Sequence, residues 1–155
     1  MKEIIQLLLE KKRTIATMES CTGGGVANAI TNVEGASEVF HFAAVTYSNE
    51  YKIKMGVSKE VIDTYTVYSQ ETADAMAKAI SDFSNSDYGI GITGKLNRTD
   101  PSNLSGNDNI VYFSIYSREK KEFYRKVLVV LKENRNQNKE YIINTILVLL
   151  REVIM

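Results

Sequence analysis

Ser20 and Cys21, followed by Thr22 and the run Gly23-Gly24-Gly25, are the residues whose types and spacing best suit covalent chemistry. Two side chains able to attack a carbonyl stand directly before three glycines. Upstream, Thr14-Ile15-Ala16-Thr17-Met18 alternates in polarity and predicts a short strand; downstream, Val26, Ala27, Ala29 and Ile30 recur at helical spacing. The glycines therefore fall where a helix begins. Unpaired backbone N–H groups and a partial positive charge at that point suit a phosphate, a carboxylate or a developing oxyanion. A plain Gly-rich turn capped by Ser or Thr would read the same way.

A serine nucleophile needs a base. The only histidine, His41, lies between Phe40 and Phe42 and reads as a packed or surface imidazole. Lysine is the remaining candidate, provided its pKa falls from about 10.4 toward about 7 through burial. Lys52, placed just after an expected strand in Thr46-Tyr47-Ser48-Asn49-Glu50-Tyr51-Lys52, suits that role, with Lys54 as its competitor. Cys21 has no histidine to pair with and reads as a small buried residue.

The elements that must position these groups follow from periodicity and breakers. Helices are expected over residues 3–12, 23–31, 58–62, 70–83 and 139–154, and strands over 14–18, 43–48, 88–93, 110–116 and 123–131. Residues 95–109 hold the only proline and many turn formers and predict a long loop. The polar stretch from Lys132 to Lys139 reads as a solvated connection. Alternating strands and helices followed by an antiparallel pair predict an α/β fold with a mixed sheet covered on both faces. Residues 19–25, 48–52 and 93–109 each follow an expected strand and are expected at one sheet edge, where reactive loops gather.

At 155 residues the chain is expected to form one domain over residues 1–155. Nineteen basic and nineteen acidic residues balance, so no net charge recruits nucleic acid or an anionic membrane. One cysteine excludes an internal disulfide and, with one histidine, argues against zinc; neither a metal nor a cofactor is expected. The segment from Met1 to Glu10 is amphipathic without a signal-peptide pattern, and no apolar run approaches the roughly twenty residues of a membrane span. The expectation is a soluble, cytoplasmic protein.

Several segments taken together resemble a known family: Glu19-Ser20-Cys21-Thr22-Gly23-Gly24, then Gly35-Ala36-Ser37, then Val45-Thr46-Tyr47-Ser48-Asn49-Glu50 with Lys52, then Val67 to Ala77, and Ile92-Thr93-Gly94. In this order they are similar to the CinA C-terminal domain family, the nicotinamide-nucleotide amidohydrolases. The resemblance runs over residues 1–94 and more loosely to the end. It implies a three-layer α/β/α sandwich, usually homo-oligomeric, that hydrolyses the carboxamide of a small-molecule nucleotide, nicotinamide mononucleotide, to a carboxylate and ammonia without a metal. The family's serine nucleophile falls on Ser20 and its lysine base on Lys52, with Tyr47 beside them. Substrate contacts are expected from Glu19, Thr22, Gly23, Gly24, Thr46, Asn49, Thr93 and Gly94; whether Thr22 and the glycine backbone hold an oxyanion or a phosphate is left open. Active family members continue after this Thr-Gly with Ile-Ala-Gly-Pro, whereas here the chain reads Lys95-Leu96-Asn97-Arg98. Leu96, Asn97 and Arg98 are expected to narrow the space beside the helix start, and Arg98 to pair with a phosphate. The opposing reading is a catalytically silent nucleotide-binding or interaction module that keeps the fold.

Overall fold

The computed structural model describes residues 1–97, 101–104 and 106–155. Five strands, β1 (Ile15–Glu19), β2 (Phe40–Val45), β3 (Tyr88–Gly94), β4 (Ile110–Ser117) and β5 (Glu122–Val129), form one mixed sheet in the order β2-β1-β3-β4-β5. β1 runs parallel to both β2 and β3, while β4 and β5 are antiparallel to their neighbours. The carboxyl ends of β1, β2 and β3 thus lie along one edge, and the loop from β3 to the start of β4 returns there.

Side chains alternate across the sheet. Ile15, Ile90, Ile92, Val111, Phe113 and Ile115 face a core shared with α1 (Lys2–Lys11), α2 (Gly25–Thr31) and α6 (Arg135–Ile154), through Leu8, Val26, Ile142 and Ile146. Ala16 and Met18 face the other way, onto Met76 and Ile80 of α5 (Gln70–Ser84) and Ile62 of α4 (Lys59–Tyr65). The α/β fold with helices on both faces is the one the sequence predicts. Burying a side chain such as Met76 or Ile80 contributes roughly 1.5–3 kcal/mol. The close approach of α5 to β3 depends on Gly91: a Cβ there would strike the Ala73 carbonyl and the Ala77 amide. Among the described residues no helix is long and apolar enough to cross a membrane.

The differences from the sequence reading that bear on the site lie in the second strand, the helix after it and the last helix. The second strand is Phe40–Val45, not 43–48; His41 is an exposed residue of this edge strand. The chain leaves the sheet at Thr46 because Ser48 caps a helix, its Oγ accepting from the Tyr51 amide at 3.3 Å. That helix, α3 (Asn49–Lys54), was not expected, and it carries Lys52 on its inner face. The last helix begins at Arg135 rather than 139, since the Asn134 side chain accepts from the Gln137 amide at 2.9 Å and caps it four residues ahead of the expected start. The connection expected to be solvated is therefore partly the first turn of α6.

Candidate active site

The turn after β1 is shaped by its glycines and by Glu19. Gly23 and Gly24 take φ of 62° and 91°, left-handed values that a side chain resists, and Gly23 N–H donates to the Ser20 carbonyl at 2.9 Å. Ser20 is thereby lifted to the carboxyl edge of the sheet. Glu19 points the other way and is fully buried. Its carboxylate accepts from Thr22 Oγ1 at 2.7 Å and from the Val26 and Ala27 amides, each at 2.9 Å.

The α2 N-terminus therefore already holds an anion, supplied by the chain itself. Glu19, Thr22 and Gly23, expected to contact substrate, are engaged within the turn here: Glu19 and Thr22 hydrogen-bond to each other, Glu19 also binds the helix start, and the Gly23 amide donates to Ser20.

Behind Ser20, α3 presents Lys52, 2% exposed. Its Nζ lies 3.2 Å from Ser20 Oγ and donates to the Thr46 carbonyl at 2.7 Å. That places hydroxyl and amine within direct proton-transfer reach. Lys54, the competitor, instead pairs with Glu50 on the exposed side of the helix at 2.6 Å. Cys21 is buried beside the pair, and burial pushes its thiol up to about 12, against the pull of the Lys52 charge. A thiol so placed is a poor nucleophile near neutral pH.

Ser20 and Lys52 open into a cavity of about 620 Å³, a volume typical of small-molecule sites. Tyr47, Asn49 and Gly94, all expected at the site, line it as well. Gly24, Thr46 and Thr93 do not. Thr93 Oγ1 donates to the Val67 carbonyl at 2.8 Å, and Thr46 contributes its carbonyl to Lys52 while its own Oγ1 is buried and unpartnered. Arg98 lies outside the described residues. Leu96 borders the cavity but is buried with the core under α6, so it fills the interior more than the site.

Among the lining residues that the sequence reading gave no role are Tyr68, Lys95, Asn103 and Arg135. Arg135 donates to the Leu96 carbonyl and, at 3.1 Å, to the Tyr47 hydroxyl, bridging α6 to the loops after β2 and β3. The Asn134 cap was the signal that could have found it, since it puts Arg135 in the first turn of α6. Asn103 accepts from Asn49 Nδ2 at 3.0 Å, tying the long loop to α3. Among the described residues no three His, Cys, Asp or Glu side chains gather as a metal would require.

Comparison with known proteins adds to this geometry. A family model described as the CinA C-terminal domain matches residues 1–154. The chain belongs to that family. Among CinA relatives, a CinA-like protein of Desulforapulum autotrophicum is 45% identical over 94 residues, 60% of this chain and 22% of that protein. A CinA-like protein of Endomicrobium trichonymphae is 46% identical over 90 residues, 57% of this chain and 21% of its own. The chain spans less than a quarter of the length of the curated relatives it matches. The CinA superfamily protein of Klebsiella pneumoniae 700603 has the same fold, with a TM-score of 0.86 at 19% identity, covering 99% of this chain and 94% of that one.

Proposed function

We propose that this CinA domain is an amidohydrolase acting on nicotinamide mononucleotide or a closely similar amide through a Ser20–Lys52 dyad. The observation that carries the reading is the 3.2 Å approach of a buried Lys52 amine to Ser20 Oγ at the mouth of a ligand-sized cavity. The proposed role requires Lys52 to act as the neutral amine, the form in which it can accept the serine proton. Ser20 Oγ attacks the carboxamide carbon while its proton passes to Lys52 Nζ. The tetrahedral adduct collapses, the C–N bond breaks, and Lys52 returns the proton to the departing ammonia. Water, deprotonated by the same amine, then hydrolyses the seryl ester to the carboxylate and restores Ser20. Tyr47, 62% exposed and held by Arg135, stands at the rim, where it can pack against a substrate ring.

The test is ammonia release from nicotinamide mononucleotide by wild type, Ser20→Ala and Lys52→Ala. Turnover by wild type and loss in both variants, with folding retained, supports the dyad; no turnover by wild type leaves the silent module as the better reading.

A further inference from the structure

The cavity wall is charged on one side only. Lys52, Lys95 and Arg135 line it, and among the described residues no aspartate or glutamate does. Lys52 and Arg135 have been given work above; Lys95 has not. Its side chain is 1% exposed, and it follows directly on the last residue of β3. The ammonium lies 4.9 Å from the centroid of the Tyr68 ring, which also lines the cavity. Of its three N–H donors, one reaches the Gly106 carbonyl at a long 3.3 Å. Among the described residues a carboxylate oxygen of Asp108, on a side chain that is 53% exposed, lies 3.9 Å away, at the outer limit of an ion pair.

A buried ammonium is costly unless paired and hydrogen-bonded. Here the pairing is incomplete, and the unspent capacity belongs to a residue of the cavity wall. We infer that Lys95, seated on the face of Tyr68, is an anion subsite of the cavity, taking a compact oxyanion, phosphate or carboxylate, carried by the ligand. This rests on the proposed function only for the identity of the amide at Ser20; the subsite itself is a statement about binding. Tyr68 holds the ammonium by a cation–π contact without neutralising it, and Arg135 adds positive potential on the same wall.

The experiment measures binding, so that it is independent of turnover. Dissociation constants are determined by calorimetry for nicotinamide mononucleotide, for nicotinamide riboside, and for the 5′-carboxylic acid of the riboside, with wild type, Lys95→Met, Lys95→Arg and Asp108→Asn. Wild type should bind at least one charged ligand tenfold or more tightly than the riboside, the two charged ligands telling phosphate from carboxylate. Lys95→Met should bring that ratio near one, Lys95→Arg should keep part of it, and Asp108→Asn, which removes the carboxylate 3.9 Å from Lys95 Nζ, should raise it severalfold. A wild-type ratio near one, or a ratio that survives Lys95→Met, overturns the subsite. If Lys95→Met fails to fold, the Asp108→Asn ratio decides, and no increase overturns it. Absence of ammonia release with a Lys95-dependent ratio would sink the amidase reading and leave the subsite standing.

Discussion

Two lysines are buried in the wall of one cavity, and they are held in opposite ways. Lys52 Nζ meets the Thr46 carbonyl at 2.7 Å and the Ser20 hydroxyl at 3.2 Å, both neutral oxygens. Lys95 Nζ sits on an aromatic face, with a carboxylate 3.9 Å away. Neutral acceptors tolerate an amine in either protonation state, whereas a π face and a carboxylate favour the ammonium. Under the proposed dyad, the difference teaches how one pocket can use the same side chain twice, once beside a hydroxyl that it serves and once against an aromatic face that seats it.

The sharpest way to break this contrast is to exchange the roles. Lys52→Ala and Ser20→Ala should each lower kcat by on the order of a thousandfold or more, with the double variant losing little beyond either alone. Lys52→Arg should be as inactive as Lys52→Ala, because a guanidinium does not give up its proton in this range. Lys95→Arg should retain most of kcat. Equal tolerance of arginine at both positions, in steady-state kinetics, would show that Lys52 also works as a fixed charge.

Next in size is the acid at the other end of the turn. Glu19→Ala leaves the Thr22 hydroxyl and the Val26 and Ala27 amides, two buried donors and one part-buried, without that acceptor and should cost on the order of 3 kcal/mol, a fall in Tm of roughly 6–12 °C for a domain of this length. Glu19→Gln should cost less and leave substrate KM unchanged. A KM that moves with Glu19→Gln while Tm does not would restore the helix start as the ligand's charge partner and weaken the assignment to Lys95.

The smallest effect concerns Cys21. With its thiol pushed up to about 12 by burial, roughly one molecule in a thousand carries the thiolate at pH 9. Alkylation of the native protein should be slow and nearly complete only after unfolding, and Cys21→Ser should change kcat by no more than a few-fold. Rapid alkylation near pH 7 would mean that the thiol is not held in its neutral form by burial.

Much of this was legible in the sequence where local signals agree. The strand Ile15–Glu19, the glycine turn and the helix from Gln70 announce themselves by alternation, by glycine and by the Ser69 cap. Ser20 and Lys52 are found together because both follow strands whose carboxyl ends share an edge. What was not legible depends on direction and reach. Nothing in Glu19-Ser20 says that the acid turns inward to cap a helix and the hydroxyl outward to the cavity; that is decided by the pleat, which sends neighbouring residues to opposite sides. Arg135 was hidden in a polar stretch whose helical first turn buries little, so the apolar periodicity starts too late to reveal it. Lys95 looked like one more charge in a loop, and only the placement of Tyr68 beneath it shows that it is interior.

Arg135 has a consequence for the order in which the site comes into being. Ser20, Lys52 and Gly94 lie in the first hundred residues, but the guanidinium that braces Tyr47 and Leu96 arrives only after β5, and the helix that carries it also covers the face of the sheet holding Ile90 and Phe113. During synthesis Ser20 and Lys52 therefore precede α6, and a chain clipped near Val129 would keep both residues while losing the part of the pocket wall that Arg135 supplies.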